Sequence, residues 1–518
     1  MVLMEETEAE MAVNNIKIDI MKTKSNLNKV LFKLSNETES NVTLREALTH
    51  FLVFGQSGSG KSSSTSRIIT TSYLKSGMGG LVMSAKKSDS KDFLSLVQKL
   101  KEKGIVDRTN DIILFNDESD FYFSPIEYEQ KKSNGDTNVY NLINLIFSIY
   151  ELNKSISGQG GGKGGDSDFW DKSVRRVIKY SIILLDLAKI SISFSNLQNF
   201  VNDLLIREQY QQLNNILCDS DNIERLLKKW SKSNFFIETL YKATINLSEE
   251  LDNGNSKKKR EYVLARQFFQ HFSSISEKTT SIVKESILGV FEFMLTGAAY
   301  RHFGKNPTNI QPELCFEGKI IILDWSVKKN GDLGRLLQGI YKWQWMKAIE
   351  QRTYNSEKDL PVFLIADECQ YFINEFYDHK FLSTCRSVGA SVLNITQNIN
   401  SLYAEMGGAS STAKVKNLIG NYGIRFYHSN LDYETNEFAA LSIGKIWKRI
   451  IGHGVSSSSG ASTNLSPQNI FQVEPREFSE LINGGAINDF KTEVIVTVAG
   501  KSFGGKNYLK TQLKQILL

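Results

Sequence analysis

The stretch "FGQSGSGKSSS", residues 54–64, follows directly on the apolar tetrad Phe51-Leu52-Val53-Phe54. A short buried strand that runs into a glycine-rich turn, a lysine and a row of hydroxyls leaves the chain few architectures. The turn fits GxxxxGK[ST], with Gly55, Gly60, Lys61 and Ser62 in the fixed places. Gly55, Gln56, Ser57, Gly58, Ser59, Gly60, Lys61, Ser62 and Ser63 are expected to wrap a polyphosphate. Several backbone N–H groups then point inward, and the N-terminus of the next helix adds partial positive charge. Lys61 is expected to bridge the β- and γ-phosphates and Ser62 to ligate Mg²⁺, so ATP and Mg²⁺ are the implied ligands.

Such a cradle needs an acidic centre. "PVFLIADECQ" supplies an apolar strand ending in Asp367-Glu368. Asp367 is expected to hold the magnesium and Glu368 to polarise the attacking water, which makes the chain a hydrolase rather than a kinase. The next strand, "SVLNITQ", ends at Gln397, a polar group placed to sense the γ-phosphate. Arg386 lies between them in "FLSTCRSVGASVLNITQ". On the residues alone it has two readings: a positive charge lent to a neighbouring subunit's ATP, or a helix C-terminal arginine favoured by the dipole.

Apolar runs at 51–54, 80–83, 111–115, 319–325, 361–367, 391–396 and 492–500 read as buried strands. Most are continuous rather than alternating, as in a parallel sheet covered on both faces. Helical stretches between them (89–103, 336–352) give an α/β fold. From about 130 to 300 the periodicity is helical, so an all-α insertion is expected to split the α/β domain. The expected division is an N-terminal segment 1–45, α/β parts at 46–128 and 306–518, and helices at 129–305. In the insertion Trp170, Val174, Val177 and Ile178 have helical spacing and are expected in its core. "SGQGGGKGG" (157–165) and "GVSSSSGAST" (454–463) are expected to be mobile loops.

Net charge is +5, from 62 Lys+Arg against 57 Asp+Glu, so any basic surface must be local. Four scattered cysteines without a CxxC pair argue against zinc and for a reducing compartment. No run of about 18 apolar residues and no signal peptide is found, so no membrane span is expected.

With these motifs in order, the chain resembles the FtsK/HerA superfamily of hexameric DNA-pumping ATPases, most of all type IV coupling proteins of the TraG/TraD kind. The resemblance runs from about 48 to 510. "HFLVFGQSGSGKS" resembles the family's first strand and P-loop, and "GGLVMSAKKSDS" stands where the family has a strand and an Asp-Pro-Lys-like turn. "IILFNDESDFYFSPIEY", "DFWDKSVRRVIKYSIILLDL" and the block from Asp367 to Gly407 follow in the same sequence, with "GNYGIRFYHSNLDYETNEFAALSIG" and "EPREFSELINGGAINDFKTEVIVTVAGKSFGGKNYL" as its closing pattern. The likeness implies a RecA-like P-loop NTPase core split by the all-α domain. It also implies ATP at the subunit interfaces of a ring, with Arg386 as the trans-acting finger and Arg425 in reserve. The turn here reads Ser84-Ala85-Lys86, without the family's aspartate.

The partners so implied are DNA, single- or double-stranded, further copies of the chain in a hexamer, and a membrane or secretion-channel protein, relaxase or nuclease. The expected place is the cytoplasm, at the inner membrane through a partner. Two other readings stand beside a conjugative translocase: a soluble HerA-like ring in repair or phage defence, and a scaffold ATPase that pumps nothing. Channel-facing candidates are "SAKKSDSK" (84–91), Lys163 and "SKKKR" (256–260).

Overall fold

The computed structural model describes residues 27–36, 38–132, 139–156, 165–218, 223–251, 256–305, 307–374, 377–407, 411–456 and 460–518. Thirteen strands occur in them: β1 (Val30–Lys33), β2 (Asn41–Thr43), β3 (Phe51–Phe54), β4 (Gly79–Met83), β5 (Ile112–Phe115), β6 (Ile320–Leu323), β7 (Val362–Ala366), β8 (Ala390–Thr396), β9 (Ile424–Tyr427), β10 (Lys445–Ser456), β11 (Gly460–Phe471), β12 (Lys491–Val498) and β13 (Leu509–Lys514).

Nine of them form one sheet in the order β13-β12-β9-β3-β8-β7-β4-β6-β5. From β9 to β5 every pairing is parallel, whereas β12 is antiparallel to β9 and to β13. The run at 492–500 is therefore a strand, but it closes the sheet against the parallel direction. The continuous apolar runs are explained by burial on both faces. Phe51 and Val53 pack on one side with Ile69, Tyr73, Phe93 and Leu96, while Leu52 and Phe54 pack on the other with Leu336 and Ile340.

The first face is covered by α1 (Arg67–Lys75) and α2 (Lys87–Glu102). In α2, Phe93, Leu96, Val97 and Leu100 recur at helical spacing and are all buried. The second face meets α3 (Val327–Glu350) and the helices of residues 125–305 in one continuous core. No strand occurs between β5 and β6 among the described residues. In the helix Gly165–Leu187, Val174, Val177 and Ile178 are buried and Trp170 is half-buried against that core.

Residues 454–463 are not a loop through most of their length. β10 and β11 pair from Lys445↔Phe471 to Ser456↔Gly460 as a separate two-stranded ribbon. The Gly-rich segment 157–164, with Lys163, lies outside the described residues. Among the described residues no helix is long and apolar enough to cross a membrane.

Candidate active site

The sheet order sets the site. β8 lies between β3 and β7, so the turn after β3, the acidic pair after β7 and Gln397 after β8 all emerge side by side at the carboxyl ends of parallel strands. Ligand sites in open α/β sheets lie at this edge.

The turn after β3 is held from both sides. Gly55 N–H donates to Gln397 O at 3.3 Å and Gln56 N–H to Ser429 O at 3.0 Å. Two of its glycines are needed for space. A Cβ at Gly55 would come within 2.5 Å of Ser59 Oγ and 2.8 Å of His428 Cβ. Gly60 has φ +86°, and a Cβ there would lie 2.3 Å from Thr492 Cγ2. A tight turn of π-helical pitch, Ser62–Ser66, then leads into α1.

Across 305 residues of sequence, Ser62 Oγ donates to Asp367 Oδ2 at 2.7 Å. Burial raises the Asp367 pKa, while the Ser62 hydroxyl and the Lys61 charge pull it the other way. Lys61 is itself buried. Glu368 is buried, and its backbone is left-handed (φ 52°, ψ 49°), a conformation that costs a non-glycine residue on the order of 1–2 kcal/mol. Its carboxylate accepts from Lys86 Nζ at 2.9 Å, Gln370 Nε2 at 2.9 Å and Gln397 Nε2 at 3.2 Å. Burial alone would raise the Glu368 pKa; the bonds from Gln370, Lys86 and Gln397 outweigh it and hold the group below the usual glutamate range. Gln370 is oriented in turn by Thr396 Oγ1, which donates to its Oε1 at 3.0 Å.

Lys61, Ser62, Asp367, Glu368 and Gln397 are thus brought together. Arg386 is not. It is exposed, in a single 3₁₀ turn just before β8, so it lies at the other end of the sheet. Arg425, in mid-β9, spends its guanidinium on Ile419 O at 3.2 Å. The basic stretch 84–91 is not a free loop: Ser84 and Ala85 are buried, Lys86 is paired with Glu368, and Lys87–Glu102 is helix. In 256–260, Lys257, Lys259 and Arg260 are exposed at the start of a helix.

Sequence reasoning missed several contacts. His428 stands behind the turn, its Nε2 2.8 Å from Thr65 Oγ1, and burial with the Lys61 charge lowers its pKa to about 3. Gln515 Nε2 bonds Ser63 Oγ, and Ile516 N–H donates to Ser63 O at 2.8 Å, so the strand pair β12–β13 buttresses the turn. Lys86 and Gln370 were legible only as residues near strand ends; which strands adjoin had first to be known.

The residues fit a magnesium-bound triphosphate. The amides of Ser57, Gly58, Gly60, Lys61 and Ser62 meet no acceptor among the described residues, and the buried Ser59 Oγ also has no partner. A hydroxyl and a carboxylate side by side are oxygen donors suited to a hard cation.

No protein-family model and no curated protein matches the sequence. Among solved structures, the fold is similar to that of the bacterial conjugative coupling protein TrwBdeltaN70 in an unbound monoclinic form, at 15% identity over 98% of this chain and 91% of that one, TM-score 0.56. It is also similar to plasmid coupling protein TrwB in complex with ADP and Mg²⁺ (15% identity, 96% and 93% covered, TM-score 0.57) and with the ATP analogue ADPNP (16%, 95% and 90%, TM-score 0.57).

Proposed function

We propose that the chain hydrolyses ATP at the Lys61–Asp367 centre and, as a ring, uses that turnover to move DNA in the manner of a coupling protein. The observation that carries the reading is the 2.7 Å bond between Ser62 and Asp367, with Glu368 and Gln397 beside it. The fold shared with TrwB over nearly the whole chain supports the coupling type, since nucleotide-bound forms of that protein are known.

In this reading the amides of Ser57, Gly58, Gly60, Lys61 and Ser62, with the Lys61 side chain, bind the phosphates, and Ser62 with Asp367 would hold Mg²⁺. The ion, when bound, supplies positive charge against the polyphosphate. Glu368 accepts the proton of the attacking water, and Gln397, touching both Glu368 and the turn after β3, ties the acid to the phosphate loop. Arg386 faces outward for the site of an adjoining copy. For DNA, the ribbon β10–β11 is a better contact than the stretches first picked out. Residues 445–471 hold Lys445, Lys448 and Arg449 and no Asp or Glu. Lys448 and Arg449 are exposed, and Trp447 between the cations is 73% exposed. Cations engage phosphates and an aromatic face accepts bases.

The test is ATP turnover by the full chain with and without DNA. DNA is expected to raise the rate, Lys61→Ala to abolish it, and Glu368→Gln to abolish it while still binding ATP. Wild-type turnover by Glu368→Gln would remove the assigned base. A rate indifferent to DNA would leave an ATPase that pumps nothing.

A further inference from the structure

The assigned base is held by Lys86, a residue the motif reading gave no part in the nucleotide site. β4 pairs with β7 in parallel, with Met83 opposite Ala366. The three residues after Met83 therefore run beside the two after Ala366, and Lys86 arrives at Glu368. The turn that delivers it is fixed. Gln338 of α3 accepts from Ser84 N–H at 2.9 Å and donates to Ser84 O at 3.0 Å. Ser326 Oγ and Lys328 N–H both donate to Ala85 O, each at 3.1 Å. Lys86 N–H donates to Asp89 Oδ2 at 2.8 Å, which starts α2.

The two members of the pair are unequally exposed: the Lys86 side chain is 40% accessible, that of Glu368 only 5%. Of the three groups that donate to this enclosed carboxylate, Lys86 alone is charged; Gln370 and Gln397 are neutral amides. An enclosed carboxylate is stable in one orientation only where charge and hydrogen bonds meet it. We propose that Lys86 is the positioning residue of the site, fixing the carboxylate of Glu368 between the turn after β4 and Gln397 so that it addresses the cradle in one pose. The inference rests on the reading of Glu368 as base. Without Lys86, two neutral amides would have to hold a buried anion on a strained backbone, and it would turn toward solvent.

The experiment uses the full chain as Lys86→Ala, Lys86→Arg and Glu368→Gln. Turnover is measured beside the affinity for a fluorescent ATP analogue, and the reactivity of the Lys86 amine toward an acylating reagent is read by mass spectrometry. Misplacing a reacting group by about 1 Å can cost on the order of 100-fold. Lys86→Ala is therefore expected to lower kcat about 100-fold with nucleotide affinity unchanged, and Lys86→Arg to recover part of the loss. The Lys86 amine should react several-fold faster in Glu368→Gln than in the wild type, a readout that needs neither turnover nor a folded lysine variant. Equal amine reactivity in the two proteins would overturn the proposal. So would an affinity loss in Lys86→Ala as large as its loss of kcat, which is what a purely structural turn would give. Turnover by Glu368→Gln would instead remove the base assignment; an inactive Glu368→Gln beside a fully active Lys86→Ala would remove only this inference.

Discussion

At the carboxyl ends of the parallel strands, Ser62, Asp367, Glu368 and Gln397 converge from distant parts of the chain, and five turn amides meet no acceptor among the described residues. At the amino ends of the same strands several polar groups are paired within the protein. His50 Nε2 bonds Leu382 O at 3.1 Å, its Nδ1 accepts from Val392 N–H at 3.3 Å, and Gly423 N–H donates to Thr49 O at 2.6 Å. Arg386 stands out from that end, exposed in the turn before β8. β8 alone, Ala390–Thr396, separates the two ends by about 20 Å. One end is open to a ligand and the other is sealed. Arg386 is on that second end, away from its own cradle; in the ring proposed above it would serve the site of an adjoining copy.

The largest expected effect tests that separation. Arg386→Ala should lower hydrolysis about 1,000-fold or more, the range for a trans-acting arginine, and leave nucleotide binding intact. Mixing it with Lys61→Ala should restore part of the activity, because each variant then supplies what the other lacks at a shared interface. Near-normal turnover by Arg386→Ala alone would mean the open end is complete in a single chain, and the contrast between the ends would lose its meaning.

The same contrast explains how much could be read in advance. The open end was legible because its residues are constrained by a ligand: a phosphate cradle needs glycines, a lysine and a hydroxyl at fixed spacing, and "PVFLIADE" runs an apolar strand directly into an acid pair. Seven strands announced themselves as apolar runs because they are covered on both faces. β10 and β11 did not. Their "GHGVSSSSGAST" is poor in apolar residues, and a two-stranded ribbon outside the main sheet is not under the demand for a continuous apolar run that coverage on both faces makes of the central strands. Lys86 was hidden for another reason: its role depends on β4 lying next to β7, a register that no local stretch encodes.

A smaller effect, on stability, would sharpen the difference by showing what anchors the sealed end. The helix Asp378–Thr384 leads into the turn that bears Arg386. Its first residue is ion-paired with Lys342 of α3, both side chains being 5% accessible; Lys342 Nζ also donates to Phe372 O at 2.9 Å. Asp378→Ala leaves a buried ammonium without its counter-charge, a change that costs about 3–5 kcal/mol. Unfolding by urea should show that loss, with nucleotide affinity of the folded protein unchanged. Glu368→Gln, at the open end, should cost far less stability while removing turnover. If the two variants were equally destabilised, the ends would not differ in the way their bonding suggests.

The smallest effect concerns the histidine that closes the sealed end. Burial lowers the His50 pKa from its ordinary value to about 4, against the bond to Leu382 O and with the Arg386 charge adding to the fall. The folded state therefore takes up its proton later than the unfolded chain does. The associated stability is fully present above the unfolded pKa of about 6.5 and is lost as pH falls toward 4. Between pH 7 and pH 5 this amounts to on the order of 2 kcal/mol. His50 has φ 71°, and asparagine is among the residues that tolerate that region, so His50→Asn removes the titration while keeping the backbone. Urea midpoints for the two proteins should converge as pH drops from 7 to 5, with every other titrating group, His428 at the open end included, cancelling in the difference. A gap that stays constant over that range would show that the ring of His50 is not sealed from water, and that the amino end of the sheet is less closed than its hydrogen bonds make it.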